Sequence, residues 1–517
     1  MWCGRIAVTE RPVVAPAGTF MERSSAQRGT HSEKDKSELY RQRGKIAGTL
    51  QSLLRVLLLL LCLFLVFAYG GVQAETVAIV SLILFVMIPV VLLVSAIPAD
   101  TRNIIMIALI LVALLVSWAE FQASGISGLF YNDPAWQMVR TYIPSAQVPV
   151  SLTPGDTSGA VLMLAVPFGV FIATLILFSG EHQSNRLLRY IVIVGAVISV
   201  FSILQFLAQP DMVLFVKKKA YQDSLTGTFI NRNTAATFFG LLLVLQVALT
   251  WQKASETDLI RSLLAYLNGI PFTNRRATIF AALSALSCLA TACALMLTKS
   301  RGGIASTFAA LLCLLLILVL FPDQREARAT SVRKGWSWRF ATATAILLVG
   351  SGIFISLAER VLFRGAAQNF ESRVCVLPGI ITAIKDHIPF GAGLASFREV
   401  FPAYRDARCG IYLIWDRAHN VYLEGLFSLG LPFIPLLFIG MGTLMFAYIY
   451  GLRVRRRQRY IAAVGLACLI LTVLHSAVDF SLQIPGLAAF FALMCAPIVS
   501  ICMLPRKRQS RVKTVKD

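Results

Sequence analysis

DRAHNVYLEGLFSLGLPF, residues 416–433, sets Asp416, Arg417, His419 and Asn420 directly against an apolar run. A histidine side chain titrates near pH 6.5, so it can take a proton from a hydroxyl as that oxygen begins to attack. A packing or capping role is the alternative for His419. Glu424 lies one turn beyond Asn420, where an acid at the mouth of an apolar helix needs a partner or water. A second group is TKSRGG, 298–303. The planar guanidinium of Arg301 suits a diphosphate, because it can bind two oxygens at once, although an arginine can also snorkel to headgroups from such a place. The third group, TGTFINRNTAATFFG, puts Asn231, Arg232 and Asn233 at the head of an apolar segment. Capping accounts for one asparagine, but two around an arginine suggest a ligand as well. The fourth is HSAVDFSLQIPG, where His475 and Asp479 are four apart and would share a helical face. Asp479 could orient His475, pair with an arginine, or belong to a structural hydrogen-bond network. Arg373 stands in ESR, with Glu371 and Asp386 as possible ionic partners.

The elements that must hold these groups are membrane helices. The chain has 517 residues, 57% of them hydrophobic and only 14% charged, too little polar surface for a soluble protein. Twelve apolar blocks approach the ~20 residues that span a bilayer. They lie near 51–69, 76–96, 103–119, 157–178, 188–206, 233–250, 277–298, 302–322, 339–358, 421–449, 458–475 and 484–503. The block at 421–449 is long for one span, and Gly430, Pro432 and Pro435 are its weak points. A half-helix or re-entrant piece there would have to pack against protein or line a cavity.

The net charge of +22 would suggest nucleic acid in a soluble chain, but topology explains it better. Basic residues cluster in 251–276, 323–338, 450–457 and the C-terminal tail. These segments fall on one side of a twelve-span chain, so both termini are expected in the cytoplasm. Residues 1–50 read as a basic cytoplasmic tail without fixed structure, 51–504 as the membrane domain and 505–517 as a second basic tail. Lys217, Lys218 and Lys219 break the pattern on the outer side, either as tolerated exposed lysines or by attracting anionic lipid or diphosphate. The loop 359–420 is rich in aromatic residues and reads as a packed external cap. Within it, ESRVCVLPGIITAIKDHIPF reads as a helix broken near Pro378, followed by a turn at Pro389–Gly391. Eight of ten cysteines lie in the tail or in apolar blocks, and none has metal-ligand spacing, so a metal site is not expected. Cys375 and Cys409 share the loop and could pair in an oxidising space.

All four polar groups map to the same outer rim, under the cap. A channel would show a repeated pore motif, and a transporter internal repeats with polar breaks at mid-membrane. Neither is present.

These groups resemble the O-antigen ligase and Wzy polymerase superfamily of bacterial polyprenyl-linked glycan enzymes. GTFINRNTAATFFG, SRGG, ESR through HIPFGAGLASFREVFPAY to RAHNVYLEGLFSLGLPF, and HSAVDFSLQIPG carry the resemblance in order. It covers residues 190–500 and is strongest across 280–440. The tail and the loop 120–156 lie outside it. Cys375 and Val376 stand where relatives often carry bulkier residues. The resemblance implies an all-α, polytopic, GT-C-like membrane fold with a large helical periplasmic loop, in the bacterial inner membrane. It implies metal-independent, inverting glycosyl transfer on the periplasmic face without a cofactor. The donor would be a glycan on undecaprenyl diphosphate. The acceptor would be lipid A–core for a ligase or a nascent glycan for an O-antigen or exopolysaccharide polymerase, with polysaccharide-export partners conceivable. The family's loop histidine falls on His419. Its diphosphate arginines fall on Arg301, Arg373 and Arg232, with Asn231, Asn233, Asn420, His475 and Asp479 in support. A non-enzymatic flippase is the contrasting class, but would need a polar path across the membrane.

Overall fold

A computed structural model describes residues 22–131, 133–257, 264, 266–268, 274–321, 367–409, 415–455 and 457–505. Side chains are described within these from residue 45, except at 255–257 and 367–373. The chain forms two compact units, 1–53 and 54–517. The protein is an all-α polytopic membrane protein. In chain order the helices are α1 (Glu22–Phe67), α2 (Ala74–Val94), α3 (Arg102–Ala123), α4 (Pro134–Tyr142), α5 (Pro154–Leu177) and α6 (Glu181–Ala208). A two-stranded hairpin follows, β1 (Met212–Val213) with β2 (Val216–Lys217). Then come α7 (Arg232–Thr257), α8 (Arg275–Leu297), α9 (Arg301–Leu320), α10 (Ala367–His387), α11 (Phe397–Val400), α12 (Val421–Leu429), α13 (Phe433–Val454), α14 (Arg459–Ser476) and α15 (Pro485–Met503).

Among the described residues eleven helices are long and apolar enough to cross a membrane. They match eleven of the twelve expected blocks; the block near 339–358 lies outside the described residues. The tail expected to lack structure is helical from Glu22 onward. Its Glu, Lys, Arg and Gln residues are good helix formers, and composition alone understated that propensity.

Helices α7, α14 and α15 are the innermost of the second unit, and most of their residues are buried. Small residues let them approach. A Cβ on Gly303 would stand 2.4 Å from the Cβ of Ala236, so α9 can lie against α7 only with glycine there. The bundle has two ends. At one, Leu225 N–H donates to Leu297 O (2.9 Å) and Gly486 N–H to Gly70 O (2.8 Å). At the other, Arg55 Nε donates to Leu177 O (2.7 Å) and Arg455 Nη2 to Glu181 Oε2 (3.3 Å).

The segment 421–449 divides as its glycine and proline suggest. Helix α12 stops at Gly430, whose φ of +67° suits glycine, and α13 starts after Pro432. The exposed backbone of this break is satisfied by protein, as membrane depth requires. Ala392 N–H donates to Phe427 O (2.8 Å), Gly393 N–H to Ser428 O (3.1 Å) and Leu431 N–H to Pro389 O (2.9 Å). From α3, Gln122 Nε2 donates to Phe390 O (2.7 Å) and Ser428 O (2.9 Å).

Helix α10 runs through Pro378, where a break was expected. The proline is exposed, and its neighbour Leu377 is exposed at the cavity described below. The missing N–H therefore leaves its carbonyl partner on the exposed side. The opposite stripe, Val376, Ile380, Ala383 and Ile384, is locked into a core with Phe397, Phe401 and Phe427. The expected turn at Pro389–Gly391 is present, with Gly391 at φ +80°. Cys375 and Cys409 are joined by a disulfide, with Cα atoms 5.7 Å apart.

Candidate functional site

A cavity of about 330 Å³ opens between the bundle and α10. Arg232, Asn233, Arg301, His419, Asn420 and His475 all line it. Three helices begin at its wall: Arg232 opens α7, Arg301 opens α9, and Asn420 caps α12. The first N–H groups of a helix have no partner within it and carry partial positive charge. Two guanidinium groups among three such ends make the cavity suited to an anion.

Below the wall runs a buried polar network. Asn233 Nδ2 donates to Asp479 Oδ1 (2.7 Å), and Ser300 Oγ donates to Asn233 Oδ1 (2.8 Å). Ser300 also caps α9, its Oγ accepting from Gly303 N–H (3.3 Å). Ser481 Oγ donates to the other oxygen of Asp479. His419 Nδ1 lies 3.8 Å from Asp479 Oδ1, at ion-pair rather than hydrogen-bond distance. That nitrogen is buried and has no hydrogen-bond partner among the described residues. Burial opposes ionisation of Asp479, but His419, His475 and Ser481 together outweigh it and hold the carboxyl below its ordinary value. Its stabilising contribution is therefore complete above the unfolded value of about 3.9 and is lost as pH falls through the lower native one. The melting temperature of the wild type should exceed that of Asp479→Asn at neutral pH, and the gap should close only in acid below about pH 4.

His475 and Asp479 do not share a helical face. The Nδ1 of His475 lies 2.6 Å from Thr237 Oγ1, and Asp479 comes after the end of α14, facing the His419 side. A Cβ on Gly302 would meet His475 Cδ2 at 3.2 Å and Val478 Cγ2 at 2.9 Å. Glycine is needed there to seat the head of α9 against His475.

The backbone of His419 is left-handed, with φ +53°, a region uncommon for residues with a Cβ. Both flanks are clamped. Asn420 Oδ1 accepts from Tyr422 N–H (2.9 Å) and Leu423 N–H (3.1 Å), while its Nδ2 donates to Ala477 O (2.8 Å). On the other flank, Glu424 is 3% exposed; its Oε2 accepts from Ala418 N–H (2.7 Å) and its Oε1 from Arg417 Nη1 (3.0 Å). The imidazole meets Trp415 and Phe480 edge to face, at 5.5 and 4.9 Å between ring centres. Glu424→Gln keeps one acceptor oxygen but loses the charge opposite Arg417. It should cost about 1–3 kcal/mol of stability, and Arg417→Gln in the same chain should recover part, because no charge is then left buried alone. Denaturation of the three variants in detergent checks this.

The remaining sequence candidates fall as follows. Asn231 Oδ1 accepts from Asn233 N–H (2.7 Å), a capping contact. Arg232 Nη1 donates to Ser224 Oγ (3.3 Å), and its guanidinium lies 5.0 Å from the centre of the Tyr221 ring. Arg373 lies in α10, and its side chain is outside the described residues. Sequence reading missed Ser300, Thr237, Ser481, Trp415 and Phe480. Only Ser300 left a signal, as a capping residue directly before RGG.

The family model described as O-antigen ligase, Wzy_C, matches residues 286–438. The resemblance is thus borne out over that stretch, which lies within the strongest part of the sequence reading. The match includes Arg301, Arg373, Cys375, Cys409, His419 and Asn420, whereas Arg232, His475 and Asp479 lie outside it. No curated protein matches the chain.

Proposed function

We propose that this protein transfers a glycan from undecaprenyl diphosphate to a sugar hydroxyl, at the periplasmic face of a bacterial inner membrane. The observation that carries the reading is the single cavity that gathers Arg232, Arg301 and His419 at three helix N-termini. Leu377, which lines the same cavity, lies four residues after Arg373 in α10, and the proposed role of Arg373 rests on the family resemblance.

His419 acts as general base. Asp479 beside Nδ1 favours a proton on that nitrogen, leaving Nε2 to accept one from the acceptor hydroxyl. The oxygen attacks the anomeric carbon, its bond to the diphosphate breaks, and configuration inverts. Negative charge gathers on the departing diphosphate, where Arg301, Arg373 and Arg232 stabilise it. The leaving group is already good, so the step demands no metal. The orientation draws support from two sides. The disulfide near the cavity suits an oxidising space. Arg275, Arg276, Arg453, Arg455 and Arg457 lie at the opposite end of the bundle, as positive-inside placement expects.

The test is a purified-protein assay with a labelled polyprenyl-diphosphate glycan. Label on lipid A–core identifies a ligase, and lengthened lipid-linked product a polymerase. Relocation across the membrane without transfer defeats the proposal in favour of a flippase.

A further inference from the structure

Helix α6 is long and apolar enough to cross a membrane and ends at Ala208. Its last turns present Leu204 and Leu207 outward, 61% and 70% exposed. Only a few residues separate them from the β1–β2 hairpin, so chain continuity puts the hairpin at the bilayer surface. Its tip is apolar: Phe215 is 90% exposed and Val216 51%. A protruding phenylalanine is costly in water, whereas at a membrane interface it is an anchor.

The basic run next to the tip divides in two. Lys218 turns inward; its Nζ donates to Pro210 O (2.8 Å) and Ser224 O (2.9 Å) and lies 5.5 Å from the centre of the Phe206 ring. It is a strap that fixes the hairpin to the protein. Gln205 adds a second strap, Nε2 donating to Leu214 O (2.9 Å). Lys217 and Lys219 turn outward; Lys217 stands at long ion-pair distance, 3.9 Å, from Asp211, and both side chains stay open to solvent. A rigid, exposed apolar tip flanked by two outward lysines matches the cross-section of an anionic leaflet: acyl chains below, phosphates above.

We propose that the hairpin 209–219 is an interfacial foot that docks on anionic phospholipid headgroups of the leaflet at the cavity end. Phe215 and Val216 enter the upper acyl region, and Lys217 and Lys219 pair with lipid phosphates. Ser224 links the foot to the cavity, since its carbonyl accepts from Lys218 and its hydroxyl from Arg232. The foot therefore lies beside the end of the bundle where an anionic headgroup would approach Arg232. The inference needs α6 as a span and does not depend on glycosyl transfer.

The test uses the full chain in nanodiscs of phosphatidylcholine mixed with phosphatidylglycerol. A Phe215→Trp variant adds one indole at an exposed position, read as the difference from wild type. Its emission should be blue-shifted. Brominated phosphatidylglycerol should quench it roughly twofold more than brominated phosphatidylcholine at equal content, because two lysines enrich anionic lipid locally. Adding Lys217→Ser and Lys219→Ser should remove that preference. Water-like emission with no bromolipid quenching, equal quenching by both lipids, or a preference that survives loss of both lysines would overturn the proposal.

Discussion

Replacing His419 by alanine should lower transfer by about 10² to 10⁴-fold, the range for removing a positioned general base. Donor binding should change little, because the arginines proposed to meet the diphosphate stay in place. Single-turnover transfer and donor affinity, measured on the same preparation, separate the two effects. The prediction rests on how much structure is spent on one imidazole. Its backbone is held left-handed, Glu424 and Asn420 fix both flanks, and Asp479 stands opposite Nδ1. A packing histidine does not require a buried carboxylate that is itself held by Asn233 and Ser481. Alanine leaves a small gap at a partly exposed position, so the variant should still fold. Transfer at the wild-type rate by folded His419→Ala would remove the base from the mechanism.

Much of this arrangement was legible in the sequence because membrane helices declare themselves. Lipid forces long apolar runs, and the helices begin where the polar groups interrupt them: Arg232 and Arg301 are first residues of α7 and α9. Gly430 and Pro432 marked the break before α13 for the same local reason. What could not be read depends on contacts between distant segments. The four-residue spacing of His475 and Asp479 suggested one helical face, but α14 ends at Ser476 and the carboxylate turns toward His419, sixty residues earlier in the chain. For Asn233 a cap and a ligand role both stood open, and no local rule pointed to its amide being shared between Asp479 and Ser300. Pro378 signalled a break by local rules, and the apolar face of α10 overrode it through packing with Phe397 and Phe427. Local chemistry thus located the rim of the site, while the network behind it required three dimensions.

Replacing Arg301 by glutamine should lower transfer by about 10² to 10³-fold, the cost of losing one donor aimed at developing charge. Arg301→Lys should recover only part, because an ammonium supplies charge without the planar fork that grips two phosphate oxygens. The comparison with Arg232→Gln is informative. Arg232 contacts Ser224 and lies against Tyr221, at the rim of the cavity, where the proposed role is to seat the donor. Its loss should raise the donor KM more than it lowers kcat, whereas loss of Arg301 should fall mainly on kcat. The position of Arg301 supports this difference. It opens α9 directly after the Ser300 cap, beside a glycine that seats the helix on His475. Arg301 and the N-terminal end of α9 both line the cavity, where their effects on an anion have the same sign. If Arg301→Gln and Arg301→Lys both kept wild-type kcat, stabilisation of the leaving diphosphate would have to come from another residue.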